Sequence, residues 1–165
     1  MNNKLMGEVA EHLAGRPVEV RLRQPFISEA NGLTLREGQK AVIDVDPTNP
    51  EAELLRVFCH EAAHAKLHFP SIPESSISEA PGSHNFTEYG FKAAVNDPRE
   101  PQADKQAAEW LRYADQQAGL YERRGHGWLE SRLLALKVWP VDVQGIIDNA
   151  VKQAVKNFKK ELANG

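Results

Sequence analysis

Residues 54–67 read LLRVFCHEAAHAKL, and this stretch decides how the rest of the chain is interpreted. Its composition favours a helix, which the Asn-Pro pair at 49–50 would open and Pro70 would end, because proline is tolerated in a first turn but not in a helix interior. Within such a helix, His60 and His64 are rotated by only about 40° from each other and separated by about 6 Å along the axis. Both imidazoles therefore lie on one face, one turn apart.

The order His-Glu-x-x-His at 60–64 predicts a catalytic zinc site. His60 and His64 can each give one ring nitrogen to a Zn²⁺ ion at about 2.0–2.1 Å. Glu61 lies beside them and can take a proton from water, whose pKa the metal lowers toward about 7. We therefore predict a zinc-dependent peptidase with His60 and His64 as ligands, Glu61 as the general base and Zn²⁺ as the cofactor. The alternative is a pair of solvated helix histidines that bind no metal.

A catalytic zinc needs a third protein ligand, and the sequence leaves several candidates. His68 continues the spacing, but it lies two turns, about 12 Å, from His60, so we expect a structural or surface residue that caps the helix end. The candidates farther along the chain are Glu79, His84, Glu88, Asp97, Glu100 and Asp104. Glu100 and Asp104 are four residues apart, which resembles the gluzincin group of peptidases, where a zinc-binding glutamate is followed one turn later by an acid that hydrogen-bonds a ligating histidine. Pro101 disfavours helical geometry at Glu100 and predicts an N-cap position for it, and an acidic first turn without metal is the alternative.

The two segments together resemble the ImmA/IrrE family of bacterial metallopeptidases. That family joins a His-Glu-x-x-His helix to a downstream helix reading roughly Glu-x-x-Ala-Asn/Asp-x-Phe-Ala-x-x-Leu-Leu. Residues 100–111 read EPQADKQAAEWL and match at Glu100, Ala103, Asp104, Ala107 and Leu111. Gln106 departs from the phenylalanine of that pattern, and the resemblance covers about residues 17–112. It implies a zincin-like fold, Glu100 as the third ligand and Asp104 as the hydrogen-bond partner of a ligating histidine.

The patterning elsewhere predicts an α+β fold, in which a small twisted sheet of about three strands joins a mainly helical body. The predicted elements are helices over 3–14, from about 101, over 127–138 and over 141–162, and strands within 17–23 and 40–46. Gly32 and Gly38 bracket a stretch that we expect to be turns. The length predicts a single domain, 1–165, which the motif makes metallopeptidase-like. We expect its core in about 17–138 and a C-terminal amphipathic helix at about 141–162.

Composition limits the classes of partner. Apolar residues at 41% and charged residues at 26% are typical of a folded globular chain. A net charge of −3 predicts no direct binding of nucleic acid. The last helix carries lysines along one side, and we expect this side to be a solvated face. The single cysteine, Cys59, excludes an internal disulfide and predicts a small buried apolar residue. The sequence shows no signal-peptide pattern and no apolar run of about 18 residues, so we expect a cytoplasmic protein without membrane contact.

Three further expectations concern the reaction. His126 and Tyr89 are the favoured candidates to stabilise the oxyanion, ahead of His84 and Tyr113. The strand at 41–45 is expected to be a sheet edge that pairs with an extended substrate. The irregular stretch 70–98 is expected to pass near the cleft as a lid or exosite, with a tolerated insertion as the alternative.

The predicted function is that of a zinc metalloendopeptidase that cleaves a protein substrate. The ImmA/IrrE resemblance implies that this substrate is a DNA-binding repressor in mobile-element or stress control. Two alternatives remain open. One is a zincin-fold binding module that cleaves nothing, which the presence of Glu61 disfavours. The other is an antirestriction or DNA-damage accessory protein.

Overall fold

The computed structural model describes residues 3–25, 31–72, 97–140 and 143–164, which form an α+β fold. In chain order the elements are α1 Asn3–Ala14, β1 Val18–Leu22, β2 Gly32–Glu37, β3 Lys40–Val45, α2 Glu51–Leu67, a 3-10 turn Phe69–Ser71, α3 Arg99–Glu122, α4 Trp128–Lys137 and α5 Val143–Asn164. The predicted helices and the two predicted strands are confirmed. Among the described helices, none is long and apolar enough to cross a membrane.

The sheet corrects two expectations. Its strand order is β1-β3-β2, with β1 parallel and β2 antiparallel to β3. The stretch between Gly32 and Gly38 is therefore a strand and not a series of turns, joined to β3 by a tight hairpin in which Gly38 has a φ of +62°. The strand at 41–45, predicted to be an edge, is the central strand. The edge strand that adjoins α2 is β2.

The core forms around α2. Leu54, Leu55 and Phe58 on α2 are almost completely buried, and one face of β3 contributes Ile43 and Val45 to the same cluster. The helices α1, α3 and α4 pack around this centre; their largest buried side chains are Met6, Leu13, Trp110 and Leu136. The core therefore begins in α1, before the predicted boundary at residue 17, and α2 is held on several sides.

The start of α3 differs from the prediction. Pro98 is the N-cap, so Glu100 lies inside the first helical turn and not at the cap. Pro101 is accommodated because the amide groups of a first turn have no partner within the helix. The Asp97 carboxylate accepts a hydrogen bond from the backbone N–H of Arg99 at 2.9 Å, which supports the helix start. Glu100 consequently has a fixed backbone on a rigid element.

Candidate metal centre

The packing of α2 against α3 brings three predicted ligands together. His60 Nε2 lies 2.8 Å from Glu100 Oε2, and His64 Nε2 lies 3.0 Å from Glu100 Oε1. The two Nε2 atoms are 3.2 Å apart. Among the described residues, His60, His64 and Glu100 form a group whose potential ligand atoms all lie within 4.8 Å of one another.

The donor set and its spacing fit zinc. Two imidazole nitrogens and one carboxylate oxygen are the ligands of many catalytic zinc sites, which keep a fourth position open. With bonds of about 2.0–2.1 Å, a tetrahedral ion separates its ligand atoms by about 3.3 Å. The separation of 3.2 Å between the two Nε2 atoms is close to this value. Each Nε2 lies near a different Glu100 oxygen, at 2.8 Å from Oε2 and 3.0 Å from Oε1, so either oxygen could serve as the third ligand after a small movement of the side chains.

His60 is supported by a carboxylate on its far side. Asp104 Oδ1 lies 2.7 Å from His60 Nδ1, and the Asp104 side chain is 65% exposed. Burial opposes the charged form of His60, but hydrogen bonds to Glu100 and Asp104 and the nearby Glu61 charge outweigh it and raise the pKa of His60 to about 9. Hydrogen bonds from His60 and His64 hold the pKa of Glu100 well below its usual range. We call His60 with Asp104 the His60 pair.

His64 is supported by a different set of groups. Its Nδ1 lies 3.0 Å from Nδ1 of His68, and Nε2 of His68 lies 2.8 Å from Oε1 of Gln102. His68 was expected to be a structural or surface residue that caps the helix end; it is the C-cap residue of α2 and only 8% exposed, and its side chain also contacts a predicted ligand. The sequence contains a signal for this contact, since residues four apart share a helix face. We call His64, His68 and Gln102 the His64 relay.

The predicted base, Glu61, is held from the sheet side. The Thr34 hydroxyl on β2 donates a hydrogen bond to Glu61 Oε2, and Glu61 is 9% exposed. The strand approaches α2 closely here: a Cβ added to Gly32 would lie 2.4 Å from Cγ1 of Val57 and 3.0 Å from Cγ of Glu61. Glycine at position 32 therefore permits the contact. Sequence reasoning missed Thr34, because the contact depends on the packing of β2 against α2.

A cleft opens beside two of the predicted ligands, His60 and Glu100. Its lining consists of Asn31, Gly32, Arg56, Val57, His60, Glu61, Glu100 and Asp104, and its volume is about 290 Å³. The predicted base and two of the predicted ligands therefore face one open space next to the end of β2. A peptide bond could approach them from this side.

Other predicted site residues are not brought to this cleft. His126 follows the far end of α3 and pairs with Glu130, about 30 Å of helix away from Glu100. Tyr113 packs edge-on against Trp139, Asp97 pairs with Arg99, and Cys59 is fully buried, which raises its pKa. Tyr89, His84, Glu79 and Glu88 lie outside the described residues, as does 73–96 of the stretch predicted to be a lid or exosite. The role of Tyr89 therefore stays a prediction.

Compared with protein-family models, with curated proteins and with solved structures, the chain matches none significantly. The resemblance carried by the two sequence segments stays a prediction. The interpretation of the site therefore depends on the arrangement of its own residues.

Proposed function

We propose that this chain is a zincin-like, zinc-dependent metalloendopeptidase that hydrolyses peptide bonds of a protein substrate. The observation that carries the proposal is the convergence of His60, His64 and Glu100 from two helices, with Glu61 facing the same cleft. Structural zinc sites are usually closed by four protein ligands, whereas three ligands beside an open cleft are typical of catalytic sites. The resemblance to the ImmA/IrrE family points to the same chemistry.

Each residue of the chain has a distinct part in the proposed reaction. Zinc, when bound by His60, His64 and Glu100, would supply a Lewis acid that acidifies water and polarises the substrate carbonyl. Glu61 takes the proton from the attacking water and passes it to the leaving amine. Thr34 holds the Glu61 carboxylate through the hydrogen bond to Oε2, so that the base does not rotate away from the cleft. Asp104 orients the imidazole of His60.

The position of β2 supports an extended peptide as substrate. The strand is at the edge of the sheet, and its first residue, Gly32, lines the cleft with His60 and Glu61. Pairing with such an edge supplies backbone hydrogen bonds and makes few demands on side chains. A protein segment that is extended or becomes unfolded fits this geometry. A DNA-binding repressor, the substrate class implied by the family resemblance, would have to present such a segment.

The test is cleavage by the zinc-loaded protein of a mixed library of quenched fluorescent peptides, compared with Glu61→Gln. We expect the wild type to cleave members of the library, and the Gln variant to retain one zinc per chain while losing at least about a hundredfold in rate, because the base is absent. Equal cleavage by the two proteins would exclude Glu61 as the base. A wild type that binds zinc but cleaves no peptide would contradict the proposal and favour a binding module.

A further inference from the structure

The surroundings of the two predicted zinc-binding histidines differ on the side that faces away from the metal. His60 Nδ1 faces Asp104, whose ionised carboxylate can only accept hydrogen bonds. His64 Nδ1 faces a second imidazole, that of His68. A neutral imidazole has one N–H donor and one acceptor nitrogen, so its ability to accept depends on where its own proton lies.

Zinc binding fixes the proton on His64. When Nε2 of His64 holds the ion, the remaining proton of the neutral ring is on Nδ1, which then donates a hydrogen bond. The atom within reach is Nδ1 of His68, at 3.0 Å. His68 can accept only if its Nδ1 carries no proton, and its own proton is then on Nε2.

Gln102 selects this form of His68. The amide oxygen Oε1 of Gln102 lies 2.8 Å from Nε2 of His68, and an amide oxygen only accepts hydrogen bonds. It therefore favours the His68 tautomer with the proton on Nε2. The two contacts form a directional series, in which His64 Nδ1–H donates to His68 and His68 Nε2–H donates to Gln102.

The backbone around His68 holds the ring in place. The His68 N–H donates to the His64 carbonyl at 2.9 Å, and the Ser71 hydroxyl donates to the His68 carbonyl at 2.9 Å. Arg99 on α3 donates to the same Ser71 hydroxyl at 2.7 Å, which connects the end of α2 with the start of α3. The side chain of His68 is therefore placed by both helices that supply metal ligands.

We propose that His68 is a positioning residue for zinc binding, which orients His64 and selects its Nε2 atom as the ligand, and that Gln102 sets the tautomer of His68. The inference depends on the proposed zinc site and deepens it. Groups that orient a ligating histidine in this way typically contribute about 10–100-fold in metal affinity. His68 and Gln102 are not among the three predicted ligands and do not line the cleft.

The first experiment measures zinc affinity by competition with a chelator for wild type, His68→Phe and His68→Asn. Phenylalanine keeps a planar ring but cannot accept, and asparagine places an amide oxygen near the position of Nδ1. We expect His68→Phe to weaken zinc binding about 10–100-fold and His68→Asn to recover most of the loss. If His68 acted through packing alone, His68→Asn should weaken zinc binding more than His68→Phe, because asparagine leaves a cavity and places an amide in a buried position.

The second experiment changes Gln102, which is exposed and can be substituted without disturbing the core. Gln102→Glu keeps an acceptor and should preserve zinc affinity, whereas Gln102→Lys presents donors to His68 Nε2 and should weaken it several-fold. Gln106, one turn along α3, bonds to Lys66 and not to the relay, so Gln106→Glu and Gln106→Lys measure the effect of charge alone. If the relay exists, the zinc affinities of the Glu and Lys variants should differ more at position 102 than at position 106.

Nitrogen NMR of the zinc-loaded wild type provides a readout that does not depend on activity. We expect a neutral His68 with its proton on Nε2 and a His64 with its proton on Nδ1. A His68 proton on Nδ1, or an unchanged zinc affinity in His68→Phe, would overturn the relay and leave the zinc site intact. A wild type that binds no zinc at His60, His64 and Glu100 would overturn both proposals together.

Discussion

The His60 pair and the His64 relay present the same atom, Nε2, to the same point, but they do so with different chemistry. In the His60 pair, a charged and largely exposed carboxylate lies directly behind the ring. In the His64 relay, a buried imidazole lies behind the ring, and a side-chain amide lies behind that imidazole. The relay contains no carboxylate, so the orientation of His64 depends on hydrogen-bond direction and packing.

The difference teaches that equivalent ligands need not have equivalent support. A carboxylate raises the basicity of a ligating histidine and also stabilises its protonated form, which competes with the metal. A relay without a carboxylate adds no further negative charge to an α2–α3 junction that already contains Glu61, Glu100 and Asp104. We infer that the His60 pair contributes mainly electrostatic attraction for the cation, and that the His64 relay contributes mainly by orienting the imidazole of His64.

The largest expected effect is the loss of zinc binding when either histidine is removed, which would show that His60 and His64 are equal as ligands. Because each supplies one of only three protein donors, His60→Ala and His64→Ala should each abolish stoichiometric zinc binding at micromolar protein. Zinc content after gel filtration, measured by mass spectrometry, checks this. His12→Ala is a matched control, since His12 bonds to the Trp139 carbonyl and lies outside the cleft. Full zinc content in either ligand variant would contradict the site.

The next effect in size is a pH dependence of the His60 pair. The pKa of His60 in the metal-free fold is raised to about 9, so zinc must displace a proton from it at pH 7. We expect the apparent zinc affinity to rise about tenfold per pH unit between pH 7 and about 9 through this group. Competition titrations across this range measure the slope, and Asp104→Ala should lower the pH at which the rise ends, because it removes one of the groups that raise the pKa of His60. A flat profile in the wild type would show that His60 is neutral before zinc binds.

The same shift has a consequence for the metal-free protein. The pKa of His60 is raised above its ordinary value of 6.5, so the stabilisation from its ion pairs is fully present below about pH 6.5 and is lost as pH rises through about 9. Unfolding in urea with a chelator present should therefore show a free energy of unfolding that declines over this window. His60→Ala should remove that part of the decline.

A smaller effect would distinguish the two kinds of support directly. Asp104→Ala should weaken zinc binding by about tenfold, at the low end for such groups, because Asp104 is largely exposed and partly screened by water. Raising the salt concentration should reduce this loss, since the contribution is electrostatic. The loss in His68→Phe should change little with salt. Equal salt dependence of the two variants would remove the distinction between the pair and the relay.

The smallest effect concerns the base and should leave both supports unchanged. Thr34→Val removes the hydrogen bond to Glu61 and should lower kcat about tenfold, as expected for a bond of about 1.5 kcal/mol to a charged group. Zinc affinity should stay at the wild-type value, and Thr34→Ser should restore most of the rate. A loss of zinc in Thr34→Val would indicate that β2 supports the ligands and not the base.

Much of the fold and the candidate ligands could be predicted because their signals are local. The described helices α1 to α5 follow apolar spacing and proline positions, and the i, i+4 relation of His60 and His64 predicts their common face. Glu100 and Asp104 have the same spacing, and the structure brings them to His60. These relations need no knowledge of how distant segments pack.

The other features of the fold and the site depend on tertiary packing, or on a hydrogen-bond acceptor that the spacing of residues along the chain does not identify. The strand β2 was missed because Gly32 and Gly38 resemble turn signals, although Gly32 allows close packing on α2 and Gly38 makes the hairpin turn. The contact of Thr34 with Glu61 depends on the packing of β2 against α2, which no local signal predicts. The spacing of His68 from His64 was visible, but its significance depends on Gln102, 34 residues away in the chain.

The most direct test of the central claim is zinc X-ray absorption spectroscopy on the protein loaded with one equivalent of zinc. The proposed site predicts two imidazole ligands, with nitrogen and oxygen neighbours at about 2.0–2.2 Å and no sulfur, because Cys59 is buried away from the cleft. His64→Ala, which is expected to lose stoichiometric zinc binding, should not show this two-imidazole signature under the same loading. A sulfur neighbour at about 2.3 Å, or a spectrum without imidazole, would contradict binding by His60, His64 and Glu100.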